Sequence, residues 1–260
     1  MFRTLLLVAT CSILMAQNPP QEVRTDVRFI SLASSPYTGR HDSLRAGLGI
    51  YLLFKDAVAT NNLGLTASFH DGSAVLDNAD RCRSLLEHAR VIVLGSSTWV
   101  QGSSQYLRRF FEQTGGESLT GVAASAWATA GGFHTGGETV ISDTLRSLMG
   151  MGAQTFTLGQ KLMVFTTEER VEADPGKFTS LDCWYMDQFA RRIAVVALAG
   201  NDHAKAEELG KKLGATLLYY SSIPPAKDLE AHYAKLAKRL NDAANNRSTA
   251  YTELLQLVAR

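Results

Sequence analysis

Two patterns of apolar residues alternate along this chain of 260 residues: short segments rich in apolar residues, and longer stretches with a helical repeat. Val27–Ala33, Leu65–Phe69, Val91–Leu94 and Val122–Thr129 are runs of the first kind and predict strands buried on both faces. Thr155-Phe156 and Leu162–Phe165 are strand-like as well. Between the runs, the spacing of Leu44, Leu48, Tyr51 and Leu52 predicts a helix from about Leu44 to Val58. Asp42-Ser43 forms its capping pair, and Asn61, Asn62 and Gly64 end it. Residues 79–89 read as helical. So do 103–114, with Leu107, Phe110, Phe111 and Thr114 on one face, and 137–150, with Ile141, Leu145 and Leu148 aligned. A helix after Asp182 carries Met186, Phe189, Ile193 and Ala197. Residues 215–221 are a further candidate strand. Two amphipathic helices close the chain, with Leu229, Tyr233, Leu236 and Leu240 on the first and Tyr251, Leu254, Leu255 and Val258 on the second; they cover the core or form an oligomer contact.

Strands alternating with helices at this spacing imply an α/β fold whose parallel sheet is covered on both faces. With 45% hydrophobic and 20% charged residues the chain buries a core and is not of disordered type. A net charge of +1 gives no argument for nucleic acid or an anionic membrane.

The N-terminal residues differ in kind. Met1-Phe2-Arg3 is a short basic start, Thr4–Met15 is apolar, and Ala16-Gln17 is a cleavage point, the pattern of a secretory signal peptide too short to span a bilayer. The expected organisation is a signal peptide over 1–16, a polar linker over 17–25, a main domain over 26–214 and a C-terminal extension over 215–260 packed on it. The expected location is periplasmic or secreted, and cytoplasmic if the leader reading is wrong. Beyond the leader remain Cys82 and Cys183, too few for a disulfide framework and better read as buried thiols.

Three loops lie where open α/β sheets bind ligands, at the carboxyl ends of strands. In the first, Ser34-Ser35-Pro36-Tyr37-Thr38-Gly39-Arg40-His41, hydroxyls, a glycine and a helix N-terminus suit a phosphate, with Arg40 adding a charge-assisted contact; a plain capped turn has the same composition. The second runs Ser96-Ser97-Thr98-Trp99-Val100-Gln101-Gly102. There Trp99 offers a flat apolar wall for a planar ring, and Thr98 and Gly102 permit close backbone approach; the alternative is Trp99 packed in a core. The third, Ala128-Thr129-Ala130-Gly131-Gly132-Phe133-His134-Thr135-Gly136-Gly137-Glu138, has four glycines for unusual backbone angles, with Thr129, Phe133 and His134 facing a bound ring and Glu138 opening the next helix. His134 is the candidate catalytic group, or else a solvent-exposed loop residue.

The stretches GSSTWVQGSSQYLRRFFEQTGG and ATAGGFHTGGETVISDTLRSLMGMG resemble the second and third FMN-contacting loops of flavodoxin-like NAD(P)H-dependent oxidoreductases. The likeness is to the tryptophan-repressor-binding-protein type of NAD(P)H:quinone oxidoreductase and to FMN reductases. It is concentrated over about 90–160 and extends more weakly over 26–200. The resemblance implies a flavodoxin-like doubly wound sheet of order 2-1-3-4-5, with FMN as cofactor, NAD(P)H as co-substrate and a small-molecule electron acceptor such as a quinone. Members of the family often assemble into dimers or tetramers. It also implies that FMN is held by Ser34, Ser35, Thr38, Gly39 and Arg40 at its phosphate, and by Ser97, Thr98, Trp99, Val100, Gln101, Gly102, Thr129, Ala130, Gly131, Gly132, Phe133 and His134 around its ring. The chain departs from the family pattern at Ser97, where proline is usual, and at Gln101-Gly102-Ser103, in place of a glycine-asparagine pair. The first loop reads Thr38-Gly39-Arg40-His41, and Gly150-Met151-Gly152 lies where a histidine is expected.

Other readings weigh less. Gly47-Leu48-Gly49 looks like the start of a dinucleotide fingerprint but lacks a third glycine and falls inside a helix. His134 and Glu138 have no further ligand nearby, so no metal site is expected. Two alternatives to an FMN oxidoreductase stand: an exported flavodoxin-like module that has lost catalysis, and a hydrolase using Ser35 or Ser96 with His134.

Overall fold

The computed structural model describes residues 25–32, 42–99, 102–130, 136–158, 163–166, 178–215 and 227–245. The predicted signal peptide, the first loop, the candidate strand at 215–221 and the second closing helix therefore lie wholly or largely outside the described residues.

Strand β1 (Asp26–Ser31) leads to helix α1 (Asp42–Asn61) and then to β2 (Thr66–Asp71). Helix α2 (Ala79–Ser84), strand β3 (Val91–Trp99) and the two-residue β4 (Gly102–Ser103) follow, and then α3 (Gln105–Thr114), β5 (Ala123–Ala130) and α4 (Gly137–Gly150). Strands β6 (Gln154–Thr155) and β7 (Met163–Thr166) precede three helices, α5 (Ser180–Ala199), α6 (His203–Leu213) and α7 (Lys227–Asn245).

The sheet runs β2-β1-β3-β5-β6, every one of these pairs being parallel. Its last position is split: β6 lies along Ala123-Ala124 of β5, and β7 along Trp127–Ala130. Leaving aside the antiparallel β4, the order is 2-1-3-4-5 over five positions, the flavodoxin-like doubly wound arrangement.

Alternation along the strands divides the core in two. Val27 and Phe29 of β1, Val91 and Val93 of β3 and Trp127 of β5 pack with α1, α5 and α7. Ile30, Ile92, Leu94, Ala124, Ala126 and Ala128 face α2, α3 and α4 on the other side. Helix α1 presents Leu44, Leu48 and Tyr51 to the first core, as its repeat predicts, but starts at Asp42, so the expected capping pair lies inside the first turn. Helix α5 begins with a capping box: the Thr179 hydroxyl accepts from Asp182 N–H at 3.3 Å, and the Asp182 carboxylate accepts from Thr179 N–H at 2.7 Å. The predicted helix over 79–89 shortens to α2, with turns leading to His88 at φ +59°.

Helix α6 has no counterpart among the sequence expectations, since its only large apolar residues are Leu209 and Leu213, beside Ala204 and Ala206. Its signals are the ends: Asp202 caps Lys205 N–H at 3.0 Å, and Gly214 closes it at φ +61°. Helix α7 packs on α5 and α1 through the buried Tyr233, Ala237 and Leu240. The fit at α1 explains the glycine pair that imitates a dinucleotide motif: a Cβ at Gly49 would lie 2.6 Å from Met186 Sδ and 3.0 Å from Leu240 Cδ1. The two described cysteines, Cys82 and Cys183, are buried and form no disulfide. Burial pushes the Cys183 thiol up to about 12, and the nearby Asp182 carboxylate acts in the same direction. No described helix is long and apolar enough to cross a membrane.

Candidate functional site

The crevice of a doubly wound sheet opens where the strand order reverses, here between β1 and β3. At the carboxyl edge β1 ends at Ser31, β3 at Trp99 and β5 at Ala130, while α1, α3 and α4 begin beside them.

The second loop differs from its sequence reading. Strand β3 does not stop at Leu94 but continues to Trp99, because its end folds back on β4: Thr98 pairs with Ser103 and Trp99 with Gly102. Ser97 is also paired across the sheet, opposite Thr129 of β5. Ser97 and Thr98, read as loop residues, are therefore strand residues held in register. The backbone explains this: residues leaving a buried sheet edge must pair their N–H and C=O groups, and a short hairpin does so.

A buried hydroxyl network ties this edge together. Ser104 caps α3, accepting from Leu107 N–H at 3.2 Å, and its hydroxyl lies 2.9 Å from that of Ser96 and donates to Leu32 C=O at 3.3 Å. Leu32 N–H donates to Gly95 C=O at 2.7 Å. The ends of β1 and β3 and the start of α3 are thus one unit. The same network corrects the hydrolase reading of Ser96. Its hydroxyl is buried against Ser104 and also contacts Ser97 C=O at 3.2 Å, so it has neither the exposure nor the neighbouring base that a nucleophile needs among the described residues.

Other hydroxyls at the same edge are unsatisfied. The side-chain oxygens of Ser31, Ser43, Ser97 and Thr98 are out of solvent and have no hydrogen-bond partner among the described residues. An orphaned buried hydroxyl costs about 1–3 kcal/mol, so four at one sheet edge call for a partner that supplies polar atoms. By alternation, Ser31, Ser97 and Thr129 share the face toward α1, and Thr98 is on the opposite face. Ser43 lies in the first turn of α1, where backbone amides have no partner within the helix and the positive dipole end suits an anion. A flavin mononucleotide meets this donor set on two counts: its phosphate matches the helix N-terminus, and its ribityl and ring polar atoms match the hydroxyl edge.

The third loop enters α4 through Gly136 at φ +95°, a left-handed conformation that a glycine adopts without strain. Of the predicted site residues, the structure brings together Ser97, Thr98, Gly102, Thr129, Ala130 and the backbone of Trp99. Ser34, Ser35, Thr38, Gly39, Arg40, Val100, Gln101, Gly131, Gly132, Phe133, His134 and the Trp99 side chain lie outside the described structure. Sequence reasoning missed Ser31, Ser43 and Trp127. Trp127 carries a visible signal, as the one bulky residue in the small-residue strand Ala123–Ala130. Among the described residues no cluster of His, Cys, Asp or Glu is arranged to hold a metal ion.

Strand order and edge together define a flavodoxin-like protein with a polar crevice at the β1/β3 reversal. No protein-family model matches the chain, and no curated protein matches it in sequence. Its structure is similar to that of an oxidoreductase from Corynebacterium diphtheriae, at 17% identity and a TM-score of 0.52 over 69% of this chain and 100% of that one. It is also similar to a WrbA-like flavodoxin from Agrobacterium tumefaciens (12% identity, TM-score 0.49, 66% and 97% covered) and to a flavodoxin from Streptococcus pneumoniae (18%, 0.47, 65% and 97%). The first superposition agrees with the strand order, and at these identities the likeness is one of fold.

Proposed function

We propose that this chain binds FMN at the β1/β3 crevice and passes a hydride from NAD(P)H through it to a quinone or similar small acceptor. The observation that carries the reading is the set of buried hydroxyls of Ser31, Ser43, Ser97 and Thr98 without partners, at the point where flavodoxin-like sheets take FMN. When bound, the flavin supplies the redox chemistry, accepting two electrons from one partner and releasing them to another.

The chain's own part is to bind and orient. The first turn of α1 offers free amides to the phosphate. Ser97 and Thr129, held in register on β3 and β5, offer hydroxyls on the face toward α1, Thr98 offers one on the other face of the same edge, and the β3–β4 pairing fixes their height. The Ser96–Ser104–Leu32 network keeps that edge from spreading when a ligand enters. Gly102 and Ser103 also border a cleft of about 420 Å³ running to Phe111 of α3 and Asp143 of α4, which leaves the outer side of the hairpin accessible.

The test is titration of the purified protein with FMN, followed by quenching of flavin fluorescence and by the absorbance spectrum, and then addition of NADPH. Binding with bleaching on reduction is expected. The Ser97→Ala/Thr98→Ala double variant should weaken FMN binding about tenfold, the equivalent of one to two neutral hydrogen bonds. Protein that stays colourless and leaves added FMN fluorescence unchanged overturns the reading and favours the module without catalysis.

A further inference from the structure

The start of α1 is bonded to the sheet by a side chain that lies in none of the three loops. Trp127 stands on β5 and is 1% exposed. Its indole crosses β3 to reach α1 and can do so because two glycines leave the space. A Cβ at Gly95 of β3 would lie 1.8 Å from Trp127 Cε2 and 2.4 Å from Nε1, and a Cβ at Gly47 of α1 would lie 2.3 Å from Cζ2. Real Cβ atoms essentially never come that close, so the indole is clamped between the sheet and the helix. Its polar end is used as well: Nε1–H donates to Ser43 C=O at 3.1 Å, inside the first turn of α1.

We infer that Trp127 is a positioning residue for the phosphate end of this site. It sets the height of the first turn of α1 over β3 and so aims the free amides of that turn at the anion. The inference rests on the FMN reading above. A helix packed directly on a sheet is located by many interchangeable aliphatic contacts. Here Leu44 in the core and Arg45, over the Phe178 ring at 5.1 Å and 3.5 Å from Leu240 C=O, hold the same turn toward the outer helices, while the indole ties it to the sheet with a rigid ring and a directional bond, and Gly95, on the same face two residues before Ser97, forms the other wall. The indole thereby ties the phosphate end of the crevice to its ring end.

Riboflavin is the same ligand without the phosphate, so comparing the two isolates the claim. Trp127→Phe keeps an aromatic ring at 127 and removes the N–H and half of the bicycle. The dissociation constants of FMN and riboflavin are measured by flavin fluorescence quenching, for wild type and variant, with far-UV circular dichroism confirming the fold. FMN binding should weaken about tenfold and riboflavin binding less than about twofold. Equal losses on both ligands, or none on either, overturn the positioning role while leaving the flavin site standing. Wild-type protein that takes neither ligand overturns the site reading and this inference together. Should Trp127→Phe not fold, a benzothiophene analogue of tryptophan at 127 keeps the bicyclic shape, lacks the N–H and should give the same split between the two ligands.

Discussion

Gly95→Ala adds one methyl group at the centre of the packing that joins β3, β5 and α1. The new Cβ would lie 1.8, 1.9 and 2.4 Å from three atoms of the Trp127 indole, a rigid ring rather than the free end of a flexible chain. The indole cannot retreat toward α1, because its Cζ2 edge already fills the space beside Gly47, where Phe69 also crowds in. Relief requires α1 to lift, which breaks the Nε1–H bond to Ser43 C=O. Overpacking costs about 1–3 kcal/mol and the lost bond about 1 kcal/mol, so the expected destabilisation is about 3 kcal/mol. For a domain of this size that lowers Tm by about 6–12 °C. The measurement is thermal unfolding followed by circular dichroism, with urea unfolding at 25 °C for the free energy. Trp127→Leu removes the clash, so the Gly95→Ala/Trp127→Leu double variant should be more stable than the sum of the single effects by at least about 1.5 kcal/mol. A Gly95→Ala protein within about 0.5 kcal/mol of wild type, or strictly additive variants, would refute the clamp.

The other predictions concern the helices behind the sheet. The Asp187 carboxylate, buried on α5, accepts from Tyr233 Oη–H of α7 at 2.7 Å and from Arg191 Nε–H at 2.9 Å, while Arg191 Nη1–H reaches Leu213 C=O at the end of α6. Asp187→Ala strands the Tyr233 hydroxyl and loosens both helices; it should cost about 3 kcal/mol, read as a lower urea midpoint, and unchanged stability would show that the triad carries no load. Burial raises the Cys183 thiol from 9.0 to about 12. The folded state thus keeps a proton that the unfolded state gives up, so this stabilisation is whole below about pH 9 and is lost as pH rises toward 12, at up to about 1.4 kcal/mol per pH unit. Tyr233 is also raised, by burial first and by the Asp187 carboxylate second, and adds to the loss above its ordinary value of 10.0. Urea midpoints at pH 7, 9 and 10.5 should therefore fall more steeply for wild type than for Cys183→Ala; parallel slopes would contradict the assignment. The same thiol should ignore a disulfide reagent at pH 8 until the protein is unfolded.

Much of the architecture was written in local pattern. Helix α4 runs Gly137–Gly150, the range its repeat predicts, because a strong apolar stripe coincides with glycines at both ends. The parallel sheet followed from the alternation of apolar runs with helical repeats, and the two cysteines from their lack of partners. The small polar residues after Leu94 pointed to the edge where Ser97 and Thr98 now stand.

What local pattern did not contain was everything set by contacts distant in sequence. Strand β3 outlasts its apolar run because β4 and β5 supply backbone partners to residues too polar to read as strand. Gly47 and Gly95 are 48 positions apart and look like a stray motif and a loop opening; only packing shows that both make room for one indole. Trp99 attracted the sequence reading because it sat among glycines and serines, whereas Trp127, inside an unremarkable strand, holds the helix end. A side chain's type and spacing predict the face it takes. Which space it fills depends on what the opposing elements leave empty, and that is decided only when sheet and helices close on one another.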